Sequence, residues 1–194
     1  MTTWQQVLKF WFEELTPEQH FRQDDALDAE IRDRFGSLWE QARVGRKDAW
    51  LEECRSSLAL IVVLDQFPRN MFRGDGRSFA SDDKAIEAAG LSIGRKFDVQ
   101  SPSERRINFY LPYMHSEVLE EQDKCIDLIR TGLGEKGAEN LIHAKAHRNI
   151  IARFGRFPFR NDALNRQSSA AEVEWLANVG YMGEVEATRK LESD

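Results

Sequence analysis

Apolar side chains recur at helical spacing along almost the whole chain, and this period is the feature that most restricts its fold. Trp4, Val7, Leu8, Trp11 and Leu15 would share one face of a first helix. No segment alternates apolar and polar residues for long enough, between turn residues, to predict a strand. We therefore predict an all-α chain of about eight helices, joined by short connections into antiparallel helical hairpins.

Length and charge narrow the class of protein further. The 194 residues suffice for one substantial core, so we predict a single domain over residues 1–183 and a frayed tail over residues 184–194. The 33 acidic residues outnumber the 27 basic ones, which disfavours a nucleic-acid partner. Because the chain has neither a signal-peptide pattern nor an apolar run of membrane-spanning length, we expect a cytoplasmic protein with no membrane partner.

Helix starts are marked by capping signals. Thr3 with Gln6, and Ser169 with Glu172, have the spacing of a capping box, in which two side chains satisfy the first backbone amides of a helix. The segment Ser-Pro-Ser-Glu at 101–104 combines a capping serine with a proline at the first helical position. These signals predict helices that begin near residues 4, 102 and 170.

Three prolines interrupt helical runs. Phe67-Pro68, Leu111-Pro112 and Phe157-Pro158 should each end or cut a helix, because the proline ring lacks an amide hydrogen and clashes with the preceding turn. Arg-Asn follows the first pair directly and the last pair after one residue, which suggests a remote duplication, although no 34-residue tetratricopeptide consensus is visible. Since the breaks share Pro, Arg, Asn, His and Glu, we predict that they converge in space.

Four long blocks of sequence stand out, and they are LDQFPRNMFRG (64–74), SFASDDKA (78–85), FYLPYMHSE (109–117) and ARFGRFPFRN (152–161). They resemble the signature segments of domain of unknown function 924, an uncharacterised and mainly bacterial family, and the resemblance spans nearly the whole chain. It implies an all-helical fold similar to tetratricopeptide-repeat proteins, with no established activity or catalytic residue. The family pattern usually has His where this chain has Phe159.

His115 and Glu117 are the candidate catalytic residues. They follow the Pro112 break, and a histidine beside a carboxylate can act as a general acid or base. The alternative is that His115 satisfies backbone groups freed by the proline, while Glu117 pairs with an arginine.

Arginine is concentrated around the breaks, and the stretch from Lys145 to Arg160 contains no acid. Because guanidinium groups recognise carboxylate and phosphate through paired hydrogen bonds, we predict an anion-binding site. Its candidate residues are Asp65, Arg69, Asn70, Arg73, Tyr113, His147, Arg156, Arg160 and Asn161. The alternative is that these arginines pair with acids inside the fold, among them Asp65, Asp82 and Glu117.

Metal and cofactor signals are weak. His143 and His147 are four residues apart and share a helical face, but no third ligand lies near them in sequence, so no metal site is predicted. The chain lacks a nucleophile elbow, a phosphate-binding glycine loop and a dinucleotide fingerprint. No cofactor is predicted.

Three functions remain open. The first is a helical module that binds an anionic small molecule or an acidic peptide end in a groove lined by the proline breaks. The second is a hydrolase or lyase of a phosphorylated or carboxylated metabolite, with His115 as acid or base. The third is a structural adaptor that self-associates through its aromatic first helix. The sequence leaves the oligomeric state open.

Overall fold

The computed structural model describes residues 2–20 and 22–193. Regular structure in these residues is helical throughout and includes no strand, which confirms the all-α prediction. The α-helices are α1 (Trp4–Lys9), α2 (Asp25–Arg43), α3 (Cys54–Ile61), α4 (Phe67–Met71), α5 (Asp82–Gly94), α6 (Phe97–Gln100), α7 (Ser103–Arg106), α8 (Leu111–Met114), α9 (Leu119–Leu133), α10 (Ala138–Phe154), α11 (Ala170–Asn178) and α12 (Gly180–Ser193). None of the helices in the described ranges combines the length and apolar character needed to cross a membrane.

Shorter helical turns complete the secondary structure. They are the π-helical turns Phe10–Glu14 and Val62–Gln66, and the 3-10 turns Pro17–His20, Asp48–Glu52, Gly76–Phe79, Ile107–Phe109, Gly134–Gly137 and Pro158–Arg160. The chain divides into two compact units, unit 1 (Met1–Pro112) and unit 2 (Tyr113–Asp194). The single domain over residues 1–183 stays a prediction.

Two of the three capping predictions are confirmed. Thr3 and Gln6 form a capping box at α1, and Ser169 and Glu172 form another at α11. The predicted cap at 101–104 is wrong, since α7 begins one residue later than the proline pattern indicated, has only four residues and has no side-chain cap. The interruption predicted near Pro112 is present, because Tyr110 separates the 3-10 turn Ile107–Phe109 from α8.

The helix break predicted at Phe67 is wrong. Helix α3 continues through the π-helical turn Val62–Gln66 directly into α4. The Phe67 amide bonds back to the Val62 carbonyl, five residues earlier, which widens the turn. Pro68 therefore lies in the first turn of α4, where a missing amide hydrogen is tolerated.

A side chain replaces the hydrogen bond that Pro68 cannot supply. The Leu64 carbonyl, one turn before the proline, accepts a hydrogen bond from Ser81 Oγ at 2.5 Å. Ser81 in turn accepts one from Trp39 Nε1 at 2.9 Å, and all three residues are buried. This chain of bonds ties α2 and the start of α5 to the proline turn.

The core of unit 1 is built around Phe67. Its ring centroid lies 4.7 Å from that of Phe35, 6.1 Å from that of Phe10 and 5.7 Å from that of Trp11. Phe10 and Trp11 belong to the apolar face of the first helical segment and are buried. These two rings of the first helical segment, which the sequence offered for self-association, are thus part of the core. Their burial is favourable because it removes apolar surface from water.

A buried charge network lies on the same segment. Arg69 Nη1 and Nη2 donate to the two carboxylate oxygens of Asp82 at 3.0 and 3.1 Å, and Nη1 lies 3.3 Å from Asp65 Oδ1. The Asp65 side chain is 1% exposed. Burial alone would lower the pKa of Arg69, but the charges of Asp65 and Asp82 raise it above its ordinary value.

Unit 2 begins with a helical hairpin. Helices α9 and α10 pack together across the 3-10 turn Gly134–Gly137. Helix α10 ends at Phe154, three residues before the predicted end, because Gly155 takes a left-handed conformation with φ of 69°. Ile150, Phe157 and Trp175 form the buried core of this unit.

The frayed tail predicted over residues 184–194 is wrong over the described part, since α12 runs from Gly180 to Ser193. Val185 and Thr188 are buried, which puts one face of the helix in the interior. Arg189 pairs with Glu139 of α10 at 2.6 Å on the exposed side. Burial of one face therefore orders a segment whose own sequence has weak helical signals.

The Arg69 network predicts a large loss of stability in Arg69→Met. Removal of the guanidinium leaves Asp65 buried without that partner, and we expect the free energy of unfolding to fall by about 3–5 kcal/mol. Arg77→Met is the matched control, because Arg77 is 61% exposed and pairs with the exposed Asp75. Urea unfolding should show a large shift for the first variant and little for the second. Equal midpoints would contradict the assignment.

The Ser81 bond predicts a separate effect. Ser81→Ala leaves the Leu64 carbonyl without its donor and should lower the free energy of unfolding by about 1–3 kcal/mol. Ser37→Ala, at an exposed position of α2, provides the comparison and should change little. Thermal unfolding of the two variants beside the unmodified chain measures the difference, and an unchanged free energy of unfolding in Ser81→Ala would contradict the role assigned to this bond.

Candidate functional site

The candidate site lies in unit 2 and starts from the helical spacing of α10. His143 and His147 are one turn apart and both face Tyr181 of α12. His143 Nδ1 and the Tyr181 hydroxyl are 2.5 Å apart, and the ring centroids of His147 and Tyr181 are 4.9 Å apart. We call His115, His143, His147, Phe157 and Tyr181 the His147 cluster.

The hydrogen bond of His147 determines its tautomer. Its Nδ1 lies 2.8 Å from the His143 carbonyl oxygen, and a carbonyl only accepts, so Nδ1 carries the hydrogen. In the neutral ring Nε2 then has a lone pair. Within the described residues Nε2 makes no hydrogen bond, and the side chain is only partly buried, so part of it is accessible to solvent. His147 therefore presents an open acceptor.

The surroundings of His147 disfavour its protonation. Burial is the main cause that lowers its pKa to about 3, and the bond to the His143 carbonyl opposes that shift. Electrostatic repulsion of the proton by His115, Arg160 and His143 lowers the pKa in the same direction as burial. Burial also lowers the pKa of His143 and raises that of Tyr181. The neutral imidazole of His147 thus lies near one permanent positive charge, that of Arg160, and near two further histidines.

Two of the proline breaks contribute to this cluster. The His115 ring lies 6.4 Å from the His147 ring, and the His115 carbonyl accepts a hydrogen bond from Arg160 Nη2 at 2.9 Å. The Arg160 guanidinium is 4.4 Å from the Phe157 ring centroid, and the residue is 6% exposed. The structure therefore brings together the predicted site residues His115, His147 and Arg160.

Glu117 is held inside the unit. Its Oε1 accepts from the Phe157 amide at 2.8 Å and from Arg166 Nη2 at 3.0 Å, and its Oε2 accepts from Arg166 Nη1 at 2.6 Å. Partial burial alone would raise the pKa of Glu117, but these bonds lower it. Arg166, which no motif in the sequence singled out, also donates to Asn161 Oδ1 at 3.0 Å. These contacts support the internal pairing considered for Glu117, and its catalytic role stays a prediction.

Other predicted ligand residues of unit 2 have internal partners. Arg156 donates to both oxygens of Glu172 at 2.6 and 2.8 Å, which lowers the pKa of Glu172. Tyr113 is 2% exposed, and its hydroxyl accepts from Lys124 Nζ at 3.0 Å. Asn161 is 1% exposed. These contacts and burial support the internal pairing that the sequence left open as the alternative to an anion site.

The predicted ligand residues of unit 1 are also engaged. Arg69 belongs to the network with Asp65 described above. Arg73 pairs with Asp28, and Asn70 Nδ2 donates to Asp28 Oδ1 at 2.9 Å. This is the internal pairing that the sequence left open as the alternative for these arginines.

Phe159 borders the cluster. Its ring stacks on Phe157 at 5.2 Å and lies 6.1 Å from Tyr181, and the residue is 43% exposed. No motif in the sequence singled out Tyr181, and the one local feature beside it is the preceding glycine, Gly180, whose φ in the structure is 59°. Such a glycine shows that the chain turns, but it does not show which residues the turn brings together.

A surface concavity or a group of metal ligands would be a second indication of a site. In residues 2–20 and 22–193, no three His, Cys, Asp or Glu side chains are grouped so as to hold a metal ion. Two shallow surface concavities of about 440 Å³ each lie along α9, around Asp123, and beside the start of α11, around Arg153. Neither is lined by His147, so the candidate site rests on its side-chain geometry.

Comparisons with known proteins agree on the family. The model of a family described as bacterial proteins of unknown function, DUF924, matches residues 7–180. The structure of a protein of unknown function from Agrobacterium tumefaciens is similar, with a TM-score of 0.82 and 39% sequence identity. The similarity covers 89% of this chain and 96% of that one. None of the curated proteins matches the chain. The chain therefore belongs to the DUF924 family, as its four sequence blocks indicated.

Proposed function

We propose that unit 2 binds a small anionic molecule at the His147 cluster and that the anion binds together with one proton. The open Nε2 of His147 carries this proposal. An anion needs a hydrogen-bond donor, and the neutral ring offers only a lone pair at Nε2, because its hydrogen is on Nδ1. A proton on Nε2 turns this repulsive contact into a charge-assisted hydrogen bond, and a proton on the ligand turns it into an ordinary hydrogen bond.

The charges around the ring favour a negative ligand. His115, Arg160 and His143 all disfavour a positive charge on His147. An anion placed beside Nε2 interacts favourably with the positive charge of Arg160 and offsets the repulsion of the proton on His147. Arg160 has contacts of its own with the His115 carbonyl and Phe157, and it contributes to this field from a buried position.

The chemistry of the ligand follows from this arrangement. A carboxylate or a phosphate monoester carries the charge, and each takes up a proton under mildly acidic conditions. Tyr181 supplies a hydroxyl beside the rings, 2.5 Å from His143 Nδ1. The site has a binding role in this proposal, since the carboxylate of Glu117 is committed to Arg166 and the Phe157 amide.

The proposal predicts that affinity for inorganic phosphate rises as pH falls from about 7 to 5. Uptake of one proton with the anion allows at most about a tenfold gain in affinity per pH unit. The groups that face His147 are His115, Arg160, His143 and Tyr181. Calorimetric titration at several pH values measures the slope, and saturable binding with no pH dependence would contradict proton uptake.

His147→Asn tests the assignment to one atom. The asparagine amide can still donate to the His143 carbonyl, whereas Nε2 is removed, so phosphate binding and its pH dependence should both be lost. Arg130→Met is the matched control, because it removes a positive charge from an exposed pair on α9 outside the cluster. Loss of binding in both variants, or in neither, would overturn the proposed site.

The low pKa of His147 should also make the free energy of unfolding of the unliganded protein depend on pH under acidic conditions. The pKa of His147 lies below its ordinary value of 6.5, so the unfolded chain takes up a proton that the folded chain excludes. The free energy of unfolding should therefore decrease from pH 6.5 downwards, before Glu117 and Glu172 protonate below about 4.5. In His147→Asn the decrease between pH 6.5 and 4.5 should be smaller. Identical slopes by urea unfolding would refute the low pKa.

A further inference from the structure

Phe159 is an exposed aromatic residue in a buried segment beside the His147 cluster. Its neighbours in the chain, Phe157, Pro158, Arg160 and Asn161, are all buried, whereas Phe159 is 43% exposed. Among residues 2–20 and 22–193, it is the one aromatic residue in the group of exposed large apolar side chains. The turn therefore projects a single aromatic ring outward from an otherwise buried segment.

The exposed ring of Phe159 and the imidazole of His147 belong to one group of neighbouring aromatic residues. Phe157 lies 5.3 Å from His147 and 5.2 Å from Phe159, measured between ring centroids. Tyr181 is likewise shared, at 4.9 Å from His147 and 6.1 Å from Phe159. Two neighbouring rings thus separate the polar end of the site from its aromatic end, and a molecule of modest length can reach both.

We infer that the ligand is an aromatic acid, with a carboxylate or phosphate at His147 and a planar ring against Phe159. This inference rests on the proposed function and names the chemical class of its ligand. Aromatic rings prefer stacked or edge-to-face contacts with one another, which gives a planar ring an advantage over a saturated ring of similar size. Phe159 is already stacked on Phe157, at an interplanar angle of 24°, so its orientation is set before a ligand arrives.

The ring preference is tested with three probes: propionate, 3-cyclohexylpropionate and 3-phenylpropionate. All three carry the same carboxylate, and the last two differ in whether the ring is planar. We expect the full chain at pH 6 to bind 3-phenylpropionate about two- to tenfold more tightly than 3-cyclohexylpropionate. Chemical-shift titration followed by NMR measures each dissociation constant.

Phe159→Leu keeps an apolar side chain but removes the ring, so the preference for the planar probe should disappear while propionate affinity stays unchanged. Leu176→Ala is the control, because it shortens another exposed apolar side chain of unit 2, on α11. A planar-ring preference that is absent in the unmodified chain, or that survives in Phe159→Leu, overturns the inference.

Failure of the proposed function would look different. If propionate affinity does not depend on His147, or if none of the probes binds saturably, the anion site is wrong and the inference falls with it. If propionate binding depends on His147 and the two ring probes bind equally, the anion site stands and only the aromatic assignment is lost.

Discussion

Proline turns leave backbone polar groups that cannot be satisfied within a helix, and much of this structure is arranged around their replacement partners. Pro68 cannot donate to the turn before it, and the Leu64 carbonyl bonds to Ser81 instead. After Pro112, the Gln122 amide donates to the carbonyls of Met114 and Ser116 at 2.7 and 2.6 Å. The Ser81 bond joins residues 17 apart in the chain, and the Gln122 bonds join residues 8 and 6 apart. Such partners are needed because an unpaired buried carbonyl costs more than ordering a side chain.

The segment around the third proline leads to the candidate site. The Phe157 amide, just before Pro158, donates to Glu117 at 2.8 Å, and Arg160, just after it, donates to the His115 carbonyl at 2.9 Å. These two bonds hold the segment after Pro112 against the segment around Pro158. His115 therefore lies near His147 because of backbone requirements, and the chemistry of the site depends on this arrangement.

The arginines serve two purposes that composition alone cannot separate. Arg69, Arg73 and Arg156 each have a carboxylate partner in their own unit. Arg160 is buried against an aromatic ring and contributes a positive field near a neutral histidine. The difference follows from which acids lie within reach, and this depends on packing between helices.

Local signals in the sequence determined the helical class and several helix ends. Apolar spacing of 3.6 residues and the capping boxes at Thr3 and Ser169 depend on neighbours within one turn, so they were readable directly. The same local reasoning failed at Pro68, where a π-helical turn carries the helix through the proline, and at α12, where burial of Val185 orders a weak segment.

The candidate site was predictable only in part. His115, His147 and Arg160 were selected from their residue types, but the open Nε2 of His147 follows from a hydrogen bond of defined direction. Tyr181 and Phe159 join the site through the contact of α12 with α10 and through the turn after Phe157. The sequence by itself determined which segments are helical, because that depends on local geometry. Only the tertiary structure decided which polar groups meet and which atom stays open, because those contacts join residues far apart in the chain.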